Sequence, residues 1–490
     1  MNRGSGVLLP IFSLPGNCGI GDFGKYAYQF IDFLYDTGQM YWQVLPMNPI
    51  DPIYDNSPYS PLSSFAGNPL FISIEGLISD GYLSKNESCY TNEGNYIDYN
   101  NVKQLKYNFF RKAFSNFRPK NDYYRFLEEN KYWIEDFSLF ISIRDYFNKP
   151  LMLWPREVKI REKESIRELE NKLKNEIEFN KFLQYQFFRQ WFNLKRYANK
   201  RKISIIGDLP IYVNHDSGDV WSHPNIFKLD DNLNPRFVSG VPPDYFSKYG
   251  QLWNTPVFDW NQLRKDNFLW WIKRYNHLMK IFDYIRLDHF RGYSAYWEVP
   301  YGEKTAVNGK WIKAYGFELF FQLKRLRSDL RIIAEDLGYI TQDVKNLRNY
   351  YSFPGMKVLQ FAFDGNPKNE YKPHNYDSTN YFVYTATHDN NTSIGWYQNE
   401  ATKKTKIDFI KYTRINNIKE VNWAFIRLAL GSIAKTSIIP IQDILGLGSS
   451  ARINTPGTTG NNWRWKLTNL YIPRYVKSRL YDLTKIYGRI

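Results

Sequence analysis

One unit returns along this chain and limits what it can fold into. It is an amphipathic helix, then a short continuous apolar run, then a loop opening on a carboxylate or other polar residue. Tyr26, Phe30 and Leu34 share a helical face at i, i+4 and i+8, with Asp22 placed to cap the helix and Gly38 to end it. The run Tyr41 to Pro46 follows as a strand. Leu183, Phe187 and Trp191 repeat the spacing. Their helix closes on Lys195, Arg196, Lys200 and Arg201, whose charges suit a helix C-terminus, and Ile203 to Ile206 then delivers Asp208. A helix over Phe317 to Leu330 precedes Ile332, Ile333, Ala334 and Glu335, and one over Trp423 to Ala434 precedes Ser437 to Pro440. Phe71 to Ile74, Tyr284 to Leu287, Lys357 to Phe363 and Tyr381 to Thr385 bring the candidate strands to eight.

Continuous rather than alternating apolar runs belong to parallel strands covered on both faces. Eight of them alternating with helices predict an α/β fold, a (β/α)8 TIM barrel with helical and loop insertions, with a doubly wound open sheet as the alternative. A chain of 490 residues that is 43% hydrophobic suits a single barrel over residues 1–490. The interval from Ile74 to Ile203 exceeds what a barrel needs and is strongly helical, which predicts a largely helical insertion over 76–200. The segment Pro210 to Pro256 is rich in Pro, Gly, Asp and Trp without periodicity, and it reads as a functional loop insertion over 210–256.

Several function classes are excluded. No apolar run approaches the roughly 20 residues of a membrane helix. The first run, Val7 to Phe12, is short and broken by Pro10, unlike a signal peptide. Cys18 and Cys89 lack CxxC spacing, which argues against a disulfide framework and a thiolate zinc site. The expectation is a cytoplasmic protein without metal, cofactor or membrane partner. A net charge of +16 permits a polyanionic partner, but the basic residues are scattered and no nucleic-acid-binding signature accompanies them. They read as a solvated surface, with no nucleic-acid partner.

Asp208, Asp288, Glu335 and Asp389 each follow an apolar strand, and catalytic residues of a barrel sit at C-terminal strand ends. All four would therefore meet at one mouth. Arg286 and Asp288 lie two apart in a strand and face the same side. A guanidinium beside a carboxylate favours the ionised form that a nucleophile needs. Glu335 follows three apolar residues, whose walls would keep it protonated as a general acid at neutral pH. Its neighbour Asp336 faces the other way, and local reasoning leaves the two tied. One ionised and one protonated carboxylate match glycosidic bond cleavage, which needs no cofactor.

Taken in order, several segments resemble the amylomaltase or disproportionating-enzyme family of 4-alpha-glucanotransferases, family 77 of the glycoside hydrolases. They are Gly4 to Pro10, Trp42 to Pro46, Ser57 to Ser60 with Phe65 to Pro69, Gly207 to Val213, Gly240 to Phe246, Arg286 to Gly292, Ala334 to Gly338, Thr387 to Asn390 and Asn454 to Thr458. The resemblance implies a (β/α)8 barrel and retaining transfer of segments between malto-oligosaccharides and other α-1,4-glucans. It implies Asp288 as nucleophile, Glu335 rather than Asp336 as acid/base, and Asp389 as transition-state stabiliser. It also implies that Arg286, His289 and His388 line the donor sugar, with Tyr59, Asp208, Asp244, Gln251 and Trp253 around the cleft. Residues 240–253 resemble the family's lid over the acceptor side, and Asn462 is expected to touch substrate.

Overall fold

Eight short strands run parallel in one sheet: β1 (Gly4–Leu8), β2 (Tyr41–Gln43), β3 (Ser204–Leu209), β4 (Tyr284–Leu287), β5 (Ile332–Ala334), β6 (Gly355–Val358), β7 (Tyr381–Tyr384) and β8 (Thr436–Pro440). They are seen in a computed structural model that describes residues 3–89, 91, 94–243 and 247–490. The sheet order is β6-β7-β8-β1-β2-β3-β4-β5, which is chain order taken round a circle. The amide of Ala334 on β5 donates to the carbonyl of Pro354, just before β6, at 2.9 Å, so the sheet comes round to a nearly closed barrel. A doubly wound sheet would reverse its order partway, and this one does not.

Two strand readings change. Phe71 to Ile74 is not a strand. Pro69–Phe71 is a 3-10 turn whose cap, Asn68, accepts from the amide of Leu70, and Ser73 caps the helix Ile74–Ser79. Pro69 offers no ladder donor, and local side-chain acceptors take the amides that remain. The missing strand is β1, hidden in sequence by Gly4, Ser5 and Gly6. A Cβ on Gly6 would lie 2.4 Å from the carbonyl oxygen of Tyr41 on β2, so the close approach requires glycine. The Lys357 to Phe363 run is strand only to Val358 and then turns as a 3-10 helix over Leu359–Ala362.

The helices sit where periodicity puts them, with shifted ends: Lys25–Asp36, Lys174–Lys200, Gly316–Leu326 and Val421–Gly431. Asp22 is not the first helix's cap, a position held by Gly24. Its carboxylate instead accepts from the fully buried Nζ of Lys106 at 2.9 Å, and the same Nζ donates to the carbonyls of Leu70 and Ile72. The interval between β2 and β3 is largely helical, and the 27-residue helix Lys174–Lys200 lays Phe187, Trp191 and Leu194 onto the barrel. Residues between β3 and β4 are more ordered than expected. They include the helix Gly218–Ser222 and strands Phe237–Val241 and Gln251–Pro256, which join Ala295–Pro300 and Lys310–Lys313 in a second, antiparallel sheet. Cys18 and Cys89 are disulfide-bonded with Cα atoms 5.2 Å apart, against the sequence expectation. They are 71 residues apart, and such a pairing has no signature in local spacing. No helix among the described residues is long and apolar enough to cross a membrane.

Candidate active site

Strand register assembles the mouth. Asp208 on β3 stands opposite Arg286 on β4, and Leu287 on β4 stands opposite Ala334 on β5. Asp288 and Glu335 each lie one residue beyond. The amide of Asp288 donates to Leu209 at 3.0 Å and that of Glu335 to Leu287 at 3.1 Å. Residues far apart in sequence thus share one layer at the C-terminal strand ends, where barrels present polar side chains to a ligand.

At its centre is Arg286, 3% exposed. Its Nη1 donates to both carboxylate oxygens of Asp208, at 2.9 and 2.8 Å, and to Oδ1 of Asp288 at 2.8 Å. Charge-assisted bonds of this kind fix a carboxylate's direction. The side chain of Asp288 nonetheless keeps 27% of its surface open, so it is oriented from beneath and accessible from above. Tyr59 donates its hydroxyl to Asp208 at 2.8 Å and stacks on the His388 ring, with centroids 5.1 Å apart.

Glu335 is held by backbone alone: Oε2 accepts from the amide of His289 at 2.7 Å and Oε1 from that of Leu337 at 3.1 Å. Burial pushes its pKa up to about 8, and the charge of Asp288 adds to the rise against the opposing pull of Arg286. Asp336 turns away from the Asp288 layer, pairs with Arg348 and accepts from the amide of Met356. Of the two tied carboxylates, only Glu335 joins the Asp288 layer. His289 adopts a left-handed backbone (φ 49°), which turns its amide onto Glu335 and its ring against Trp253, 4.9 Å away edge to face. Burial lowers its pKa to about 4, so its imidazole is neutral at pH 7.

Asp389 lies across the mouth on the loop after β7. Its Oδ1 accepts from Nδ2 of Asn454 at 2.6 Å, and its Oδ2 is 3.4 Å from Nε2 of His388. Trp253 and Gln251 sit on the antiparallel strand beside the mouth, linked by a 3.3 Å bond from the indole to the amide oxygen. Tyr54 directs its hydroxyl at Asp216, 3.2 Å away. Asp244 lies outside the described residues. Asn462 lies eight residues after Asn454, close to the motif Asn454 to Thr458. It is 6% exposed, its oxygen accepts from the amide of Thr455 and its Nδ2 donates to the carbonyl of Thr458. It shapes the 455–462 loop, and Asn454, in the same motif, is the residue that reaches Asp389. Only the motif Asn454 to Thr458 could have pointed to it.

The model of the family described as 4-alpha-glucanotransferase matches residues 9–471. The 4-alpha-glucanotransferase of Clostridium butyricum is 46% identical over 486 residues, covering 98% of this chain and 99% of that protein. That of Aquifex aeolicus is 45% identical over 487 residues, with 99% of each covered. Among solved structures, the amylomaltase of Streptococcus agalactiae in complex with acarbose superposes with a TM-score of 0.96 at 38% identity, over 99% of each chain. The amylomaltase of Corynebacterium glutamicum, at 17% identity and a TM-score of 0.81, shares the fold over 100% of this chain and 75% of that one.

Proposed function

The chain belongs to the 4-alpha-glucanotransferase family, glycoside hydrolase family 77, and from that premise we infer how its own residues carry out the transfer. Asp288 is the nucleophile, Glu335 the general acid and then base, and Asp389 the stabiliser of charge and ring distortion through the sugar hydroxyls. The observation that carries this reading is the pairing of Asp288, held on Arg286 at 2.8 Å, with Glu335, whose pKa is about 8, in one layer of the mouth. An ionised and a protonated carboxylate together are what a retaining displacement requires.

Glu335 donates its proton to the glycosidic oxygen as Asp288 attacks the anomeric carbon, and the reducing-end segment leaves. Attachment of the sugar removes the Asp288 charge, which had helped to raise the Glu335 pKa. With its pKa lowered, Glu335 stays ionised at neutral pH after giving up its proton, the form that accepts the proton of the incoming glucan's 4-hydroxyl. Arg286, His289, His388, Tyr59 and Asp208 frame the donor sugar. Gln251, Trp253 and Asp244 line the cleft, and residues 240–253 act as a lid over the acceptor side. The helical segment 76–200 and the loops of 210–256 are insertions on one catalytic barrel. The donors and acceptors are malto-oligosaccharides and other α-1,4-glucans. A cytoplasmic setting is part of the same proposal.

Incubation with maltotriose tests the reaction. Glucose and longer oligomers should appear while total reducing ends stay constant; steadily rising reducing ends would mean hydrolysis. The protonation of Glu335 sets the pH dependence. Its folded pKa is raised, so the acid form is present below about 8 and is lost above it. The alkaline limb of kcat/KM should therefore fall near pH 8. A limb displaced below pH 6 would contradict the assignment of Glu335 as acid.

A further inference from the structure

The loop bearing Asp389 runs from Thr385 to Ser393, and both its ends meet on one carboxylate outside the layer described above. Asp443 sits in the short helix Ile441–Ile444 that follows β8 and is 1% exposed. Its Oδ2 accepts from the Thr385 hydroxyl at 2.5 Å and from the Ser393 hydroxyl at 2.7 Å, and its Oδ1 accepts from the Ser393 amide at 2.7 Å. These three partners are neutral. A carboxylate buried among neutral donors is a costly arrangement, and burial pushes the Asp443 pKa up.

Between the two anchored ends the loop is tied by further hydrogen bonds. The amide of Asp389 donates to the Thr387 hydroxyl at 3.3 Å, and the amide and hydroxyl of Thr387 donate to Oδ1 of Asn390 at 2.9 and 2.8 Å. Gln360 donates from Nε2 to the carbonyl of Asn391 at 2.7 Å. From the far side, Asn454 donates to the Asp389 carboxylate itself. We propose that Asp443 is a positioning residue for the transfer reaction, clamping the ends of the 385–393 loop so that Asp389 meets the sugar hydroxyls as the transition state forms. The proposal rests on the reading of Asp389 given above. A displacement of about 1 Å in such a group lowers turnover by about 10²-fold while ground-state binding survives.

The test is a double-mutant cycle on the full chain, read by maltotriose disproportionation. Asp443→Asn keeps the shape but offers one good acceptor where three donors converge, so at least one anchor is lost. It should lower kcat by about 10- to 100-fold with KM changed by no more than about three-fold. In the Asp389→Asn background the same change should cost less than about three-fold, because the group it positions is already disabled. Losses that multiply independently would overturn the proposal, since a merely structural role is blind to Asp389. Should Asp443→Asn fail to fold, Thr385→Val and Ser393→Ala each remove one donor and leave the carboxylate. Each should lower kcat, with Thr385→Ser restoring it. Wild-type kcat in both Thr385→Val and Ser393→Ala would overturn the clamp. Asp389→Asn turning over at the wild-type rate would instead overturn the underlying role of Asp389, whatever Asp443 does.

Discussion

Asp288→Asn is expected to lower maltotriose disproportionation by on the order of 10⁵-fold while glucan binding persists. An amide cannot attack the anomeric carbon, so no glycosyl-enzyme forms. The fold should tolerate the change, because Arg286 keeps both of its bonds to Asp208 when Asp288 is neutral. Calorimetric titration with maltotriose should accordingly give a dissociation constant close to wild type. A second consequence can be read at Glu335. The charge of Asp288 is one contributor to its raised pKa, so the Glu335 carboxyl should titrate lower in the variant, by carboxyl NMR. Turnover within tenfold of wild type would remove Asp288 from the mechanism.

Glu335→Gln should lower turnover on maltotriose by about 10²- to 10⁴-fold, and the size of the loss should depend on the leaving group. An α-maltosyl fluoride donor leaves as fluoride without protonation, so its first step should run at a rate near wild type. The second step still lacks its base, so a covalent glycosyl-enzyme should accumulate, visible by intact-protein mass spectrometry. Azide, which needs no deprotonation, should discharge it. Equal losses with maltotriose and maltosyl fluoride would show that Glu335 does not act by proton transfer. The geometry favours the leaving-group dependence. Glu335 is hydrogen-bonded only by the amides of His289 and Leu337, and its raised pKa keeps it protonated at neutral pH.

Much of this was legible in the chain because barrel strands are locally encoded. Runs such as Ile332 to Ala334 are apolar on both faces because both faces are covered, and Asp288 and Glu335 are the first residues beyond their strands. Where a local rule was overridden, a specific contact was responsible. β1 was obscured because the approach of Tyr41 to Gly6 admits no side chain. Phe71 looked like strand because its buried side chain carries the same apolar signal in a 3-10 turn. Asp22 looked like a cap, yet its partner is Lys106, 84 residues away.

By itself, the sequence determined the alternation of eight strands with helices, the carboxylates at strand ends, the pairing of Arg286 with Asp288 and, through its ordered motifs, the family. Between Glu335 and Asp336 local pattern left a tie that the ordered motifs broke, and tertiary structure decided what each carboxylate meets, the His289 amide for Glu335 and Arg348 for Asp336. It also decided that Asn454 reaches Asp389, that Asp443 gathers both ends of that loop, and that Cys18 meets Cys89. The physical reason is the range of the interactions. Periodicity and strand-end polarity arise between near neighbours and are written as local pattern. Hydrogen bonds such as that between Asn454 and Asp389, 65 residues apart, form only when the closing barrel brings their loops to one rim.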